Sequence, residues 1–279
     1  MKIVNILRYI LLIAAVVIMA FPVIWAWLTS FKTSEDIYKN SIIFTPTLKN
    51  FQDLLLPGTP EFPWRKNFLP NYLNTIILSI VSITIAALVG TPAAYALSKL
   101  NIRGATALAL TFLSFRFLPV VVVMMPLFLT FRTVGLLDTY YGLILAYQLI
   151  ALPYIIYMLK GFFDEIPREL TDAALIDGYS HISALFRILI PATKTAFIVT
   201  ILIAFLFCWN DLAIALTLTR KEVVTGTLKA TELFGAWGVP IEWGVVTAAA
   251  FLLSIPLFIL VIFLQKYLVR ALTFGVVRK

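Results

Sequence analysis

I-P-R-E-L-T-D-A-A-L-I-D-G-Y-S-H-I-S-A-L-F-R-I-L-I-P, residues 166–191, is a polar island in an apolar chain. Arg168, Glu169, Asp172, Asp177, His181 and Arg187 fall inside it, and Lys194 follows just beyond. On both sides lie long segments with almost no charge. Charged groups are expensive inside hydrocarbon. The island therefore belongs in water or against another protein.

The flanking segments have a membrane composition. Of 279 residues, 61% are hydrophobic and 13% charged, against roughly half and about a quarter in a soluble domain. The excess comes in blocks of about twenty residues, the length of helix that crosses the hydrocarbon core. We read an all-α polytopic membrane protein, a single transmembrane domain over residues 1–279. Six transmembrane helices are expected at about 9–28, 72–97, 105–131, 140–163, 191–218 and 243–264. An outer loop spans 29–71, the polar loop 164–190, a second outer loop 219–242 and a basic tail 265–279. The first block has the basic start of a secretory signal. It is too long for one, however, and Phe21-Pro22 and Trp25-Ala26-Trp27 stand where a small-residue cleavage site would be. It reads as an uncleaved span.

The net charge of +8 does not point to nucleic acid. The basic residues sit mainly at block ends, where membrane topology places them. Six spans put both termini on one side, and Lys2, Arg8, Lys99, Arg103, Lys160 and Lys194 cluster there. Both termini and the polar island are thus expected in the cytoplasm. Cys208 is the single cysteine, so no internal disulfide or thiol metal cluster is possible.

Within the island, Pro167 suits the first turn of a helix. Leu170, Ala173, Ala174 and Ile176 then recur at helical spacing as one small apolar face. Gly178 suits a left-handed stop, and Ser180 can cap a second short helix carrying Ile182, Leu185, Phe186 and Leu189. Pro191 is expected to open the fifth span. Two settings suit such helices: a lipid surface or a groove in a partner protein. Glu169, Asp172 and Asp177 against Arg168 alone, with alanines at the centre, favour the groove.

P-R-E-L-T-D-A-A-L-I-D-G-Y-S, with Pro191 thirteen residues after the glycine, resembles the E-A-A–x3–G cytoplasmic loop of permease subunits of ABC importers, closest to the maltose-type carbohydrate branch. F-K-T-S-E-D-I (31–37), N-F-Q-D-L (50–54), Y-A-L-S-K-L-N-I-R-G (95–104), R-F-L-P (116–119), G-L-L-D-T-Y-Y-G-L-I (135–144), W-N-D (209–211) and Q-K-Y-L-V-R-A-L-T-F-G (265–275) are similar to that branch in the same order. The resemblance implies an ATP-driven sugar importer. It places Glu169, Asp172, Ala173, Ala174, Asp177 and Gly178 in contact with an ATPase subunit. It also implies a homologous second permease, an ATPase dimer that binds ATP and Mg, an extracytoplasmic sugar-binding protein, and the cytoplasmic membrane of a prokaryote. Asp172 replaces the motif's Glu and Tyr179 the Ala after the glycine. Both departures bear on how a partner grips the loop.

Arg116, Asn210 and Asp211 are polar groups inside expected spans. One reading places them on the translocation path, hydrogen-bonding sugar hydroxyls. The other is an Arg116–Asp211 pair that fixes helix packing. His181 reads as a surface or partner contact and Trp243 as an interfacial anchor. The outer loop 219–242 is either a plain connection or, as the resemblance implies, a loop that touches the binding protein through Gly235, Trp237 and Gly238.

The sequence holds no G-x-x-x-x-G-K-[ST], no H-E-x-x-H and no G-x-S-x-G. The chain is expected to be non-catalytic, with no cofactor or metal of its own and no nucleic-acid partner. The competing class is a secondary transporter or channel that needs no ATPase. Such carriers often show half-chain repeats with broken spans in matching positions, and none is visible here.

Overall fold

A computed structural model describes residues 2–61, 65–235 and 240–276. Among the described residues all regular structure is helical: α1 (Lys2–Thr29), α2 (Ser34–Tyr38), α3 (Lys49–Leu55), α4 (Leu69–Lys99), α5 (Ala105–Ser114), α6 (Val120–Thr133), α7 (Tyr140–Asp164), α8 (Arg168–Ile176), α9 (His181–Ala184), α10 (Ile190–Ala192), α11 (Lys194–Trp209), α12 (Ala213–Leu218), α13 (Gly226–Glu232) and α14 (Trp243–Val276). Four of them, α1, α4, α7 and α14, are long and apolar enough to cross a membrane. The number reaches six if each of two bent pairs makes one crossing. The chain packs as two units, Met1–Pro70 with Lys229–Pro256, and Asn71–Leu228 with Leu257–Lys279.

In the larger unit, α7 lies at the centre. Its buried face, Leu143, Ala146, Tyr147, Ala151, Ile155, Leu159 and Phe163, packs in one cluster with Leu78, Ala86, Ala94 and Tyr95 of α4 and with Ala204 and Cys208 of α11. Small residues let helix backbones approach closely in a membrane. Ala86, Gly90 and Ala94 recur every fourth residue along α4 and form such a stripe. A Cβ on Gly90 would lie 2.9 Å from Cγ2 of Ile155.

In the smaller unit, α1 turns its apolar side chains outward, and Ile10, Leu11, Ile18 and Met19 are all exposed. The following loop is folded. Asn50 Nδ2 donates to the carbonyls of Ser30 (2.9 Å) and Lys32 (2.8 Å). The rings of Phe31, Phe51 and Phe251 meet at 5.0–5.6 Å. Lys32 is buried, with its ammonium 4.0 Å from the Trp25 ring centroid.

Three expected segments differ in detail. The block 105–131 is not one helix: α5 passes through a single 3₁₀ turn (Phe115–Phe117) and meets α6 at 95°. Pro119 drives Leu118 into an extended conformation (ψ 129°), which ends the turn. Pro191 lies inside a helix and does not start one. His181–Ala192 runs as one helix through a widened π-type turn at Leu185–Leu189, and α11 leaves it at 91° after Thr193. Proline lacks the N–H that would bond Arg187, which favours a widened turn. The candidate span within α14 ends at Gln265, as expected, but the helix itself continues to Val276; no proline interrupts that stretch.

Candidate functional site

The island folds as the sequence suggests, with one change of face. Asp177 caps α8 and Gly178 follows with φ +88°. The Gly178 N–H donates to Leu175 O (3.1 Å) and the Tyr179 N–H to Ala174 O (3.0 Å). These are the two bonds of a Schellman stop, which needs a left-handed residue at the glycine. Ser180 Oγ accepts from the Ser183 N–H at 3.2 Å and caps α9. The expected apolar face is split. Thr171 and Ala174 are buried, whereas Leu170, Ala173 and Ile176 are exposed, Ile176 by 86%. Glu169, Asp172, Asp177 and Gly178 are also exposed.

Three contacts tie this segment to the C-terminal end of α4 and the turn after it. Lys99 Nζ donates to Ile166 O (2.6 Å), Arg168 Nη1 to Asn101 Oδ1 (3.0 Å), and Tyr95 Oη lies 2.9 Å from His181 Nδ1. His181, expected as a surface or partner contact, thus pairs within its own chain, and neither Tyr95 nor Asn101 stands out in the sequence as its neighbour or that of Arg168. The one available signal was that Tyr95, Lys99 and Asn101 share the Y-A-L-S-K-L-N-I-R-G motif.

Arg116 sits in the 3₁₀ turn between α5 and α6. Its guanidinium carbon is 3.4 Å from the Phe207 ring centroid and 5.3 Å from that of Tyr154. Among the described residues it forms no ion pair, and an Arg116–Asp211 bridge is absent. Asp211 is used elsewhere: it accepts from the N–H groups of Ile214 (3.4 Å) and Ala215 (3.0 Å) and so caps α12. Asn210 caps α11, and its Nδ2 donates to Leu206 O at 2.9 Å. A cavity of about 270 Å³ is lined by Phe115, Arg116, Met124, Leu149, Phe207 and Ile214 among others. Asn210 and Asp211 are not part of its lining, so the structure does not bring the three polar residues together there.

A second cluster links the short connection after α6 to the segment after α12. Asp138, at φ +56°, accepts N–H bonds from Arg220 (2.9 Å), Lys221 (2.9 Å), Glu222 (3.1 and 3.2 Å) and Val223 (3.3 Å). Its own N–H donates to Leu218 O at 2.8 Å. Burial works against the Asp138 carboxylate, yet the four backbone donors outweigh it and hold its pKa below the ordinary value. Nearby, Val224 O accepts from Asn71 and Asn74, and Thr75 Oγ1 accepts from the Gly226 N–H at 2.7 Å. Gly235 has φ +78°; Trp237 and Gly238 lie outside the described residues.

The family described as binding-protein-dependent transport system inner membrane component matches residues 86–274. The trehalose transport system permease protein SugB of Mycobacterium tuberculosis is 31% identical over 259 residues, covering 92% of this chain and 92% of its own length. The trehalose/maltose transport system permease protein MalG of Thermococcus litoralis is 31% identical over 279 residues, with 98% of each chain covered. Among solved structures, a bacterial ABC transporter involved in the import of the acidic polysaccharide alginate has the same fold. The TM-score is 0.78 at 23% identity, covering 95% of this chain and 96% of that one. With a match over most of its length and relatives covered nearly from end to end, this chain belongs to the family of inner membrane components of binding-protein-dependent transport systems.

Proposed function

We propose that this chain is a membrane-spanning permease subunit that carries an oligosaccharide such as maltose, maltodextrin or trehalose into the cytoplasm, driven by ATP hydrolysed on a partner chain. The observation that carries the reading is the surface of α8. Thr171 and Ala174 are buried and Leu175 is half-buried against the rest of the chain, while Glu169, Asp172, Leu170, Ala173 and Ile176 face outward. Carboxylates around a small apolar patch fit a cleft in a protein. A helix made for anionic lipid carries the opposite charge. The Schellman stop at Gly178 fixes the angle at which this surface is presented. The names of the relatives, which transport trehalose or trehalose and maltose, support the substrate class.

In this reading the permease domain pairs with a homologous permease and with two ATPase subunits, which hold ATP and Mg. An extracytoplasmic binding protein delivers the sugar, with Gly235, Trp237 and Gly238 toward it. The assembly lies in the cytoplasmic membrane of a prokaryote, with lipid around its apolar helices and both termini in the cytoplasm. The chain itself does no chemistry. Closure of the ATPase pair moves its cleft and carries Asp172–Gly178 with it. That movement shifts the permease only if the cleft binds its two states with different affinity. The largely apolar cavity beside Arg116 would supply a cation and the rings of Phe115 and Phe207 along the path, and Asn210 offers an exposed amide.

The test is uptake of labelled trehalose, maltose and maltotriose into proteoliposomes holding the whole transporter. Gly178→Pro cannot adopt φ +88°, so it destroys the Schellman stop. Uptake is expected to vanish while membrane insertion and assembly persist, and Asp172→Lys should act the same way. Undiminished uptake in both variants would sink the coupling role. A wild type that imports none of the three sugars would sink the substrate class.

A further inference from the structure

The covalent route out of the α8 segment is indirect on one side. The helix that follows it turns by 91° before α11 begins. Direct hydrogen bonds instead join both ends of the segment to a single helix and its following turn. At the start of α8, Lys99 of α4 holds the Ile166 carbonyl, and Asn101, two residues past α4, holds Arg168. Past the Gly178 stop, Tyr95 of α4 meets His181 Nδ1 at 2.9 Å, with ring centroids 5.9 Å apart.

Tyr95 is the fixed partner in that last contact. It is only 4% exposed and belongs to the central cluster with Leu159, Phe163 and Leu185. His181 is exposed, in the first turn of α9. The hydroxyl of a core tyrosine therefore emerges onto the first residue of the helix that follows the stop. Tyr95 and Lys99 stand four apart on α4, one turn of helix, so their side chains lie on the same face.

We propose that α4 is the element that receives movement of α8, and that the Tyr95–His181 contact is the positioning link that transmits it. This rests on the coupling role proposed for α8. Burial of Thr171, Ala174 and Leu185 seats the segment on the core, but without the tie past the stop its far end has no directional bond to α4. Held at both ends, it moves α4 with it. Tyr95 and His181 then touch neither sugar nor nucleotide and act through α8.

The test uses the assembled transporter in lipid nanodiscs. Amide hydrogen exchange is compared between the nucleotide-free state and the state closed with ATP and vanadate. In the wild type, exchange should change on closure both in 168–184 and in the last two turns of α4. Tyr95→Phe removes only the hydroxyl, and His181→Ala only its partner. Each is expected to reduce the α4 response about 3- to 10-fold, the range of one lost hydrogen bond. The double variant should be no worse than either single one. His181→Asn, which keeps a polar atom near the Nδ1 position, should restore most of the response; a merely structural defect would not be rescued this way. An unaltered α4 response in the single variants, additive losses, or no rescue by asparagine would overturn the link. If 168–184 itself fails to respond to closure in the wild type, the coupling role falls and this inference falls with it. If 168–184 responds and α4 still follows in Tyr95→Phe, the link alone falls.

Discussion

Replacing Asp138 should loosen the whole connection after α12. The carboxylate accepts from four consecutive backbone N–H groups. Those of Arg220, Lys221 and Glu222 are on exposed residues and can turn to water when the carboxylate is gone, while Val223 is 2% exposed. A hydrogen bond to a charged group contributes about 1.5–3 kcal/mol, and rehydration recovers much of it. Asp138→Gly keeps the φ of +56° without strain, so its expected cost is about 2–3 kcal/mol, mostly from Val223 and the lost charge. Asp138→Ala should cost about 1 kcal/mol more, because a Cβ is disfavoured in the left-handed region. Asp138→Asn tolerates that region and keeps one oxygen, so its cost should be about 1 kcal/mol.

The assay is reversible unfolding in mixed detergent micelles, read as the change in midpoint at constant slope, and repeated across pH. Because the folded pKa lies below the ordinary value, the carboxylate's contribution is complete above the unfolded pKa of about 3.9. It is lost as pH falls through the folded value. The gap between wild type and Asp138→Asn should therefore be constant near neutrality and shrink below about pH 4. Equal stability of wild type and Asp138→Gly at pH 7, or a gap that widens on acidification, would refute the reasoning.

Two further outcomes are expected. Gly90→Ala places a methyl 2.9 Å from Cγ2 of the fully buried Ile155 and should destabilise the α4–α7 contact by about 1–3 kcal/mol; Ile155→Ala deletes that Cγ2, so the double variant should cost less than the sum of the two single ones in the same unfolding assay. A Cβ on Gly244 would lie 2.5 Å from Asn50 Oδ1, and Asn50 binds two carbonyls, so Gly244→Ala and Asn50→Ala should each cost about 1–3 kcal/mol. The double variant should cost clearly less than the sum, since Asn50→Ala removes the atom that the Gly244→Ala methyl collides with; strict additivity would show that the contact does not exist.

Much of the candidate site is local, and the chain sequence states it. The Asp-Gly at 177–178 and the Ser at 180 act on backbone groups within five residues. A reader of residue order could place the stop, the cap and the two short helices. The apolar blocks likewise announce a membrane protein, because length and solvation act on each block separately. The split between Ala173 and Ala174 is of another kind. Both are apolar neighbours, and only the docking of α8 onto its own chain distinguishes the one that is buried.

Arg116 shows the same division. Residue order marks a cation inside an apolar block, and Asp211 is the obvious counter-charge. The folded chain commits Asp211 to the start of α12 and gives the cation the rings of Phe207 and Tyr154 instead. The Tyr95–His181 contact spans 86 residues, and the Asp138 cluster 82 to 85. Helical periodicity, caps and turn residues exert their forces within one or two turns of the chain, so the sequence by itself determined the long apolar helices, the stop at Gly178 and the cap at Ser180. Which distant groups meet depends on how the helices pack against α7, and that pairing was decided by the tertiary structure alone.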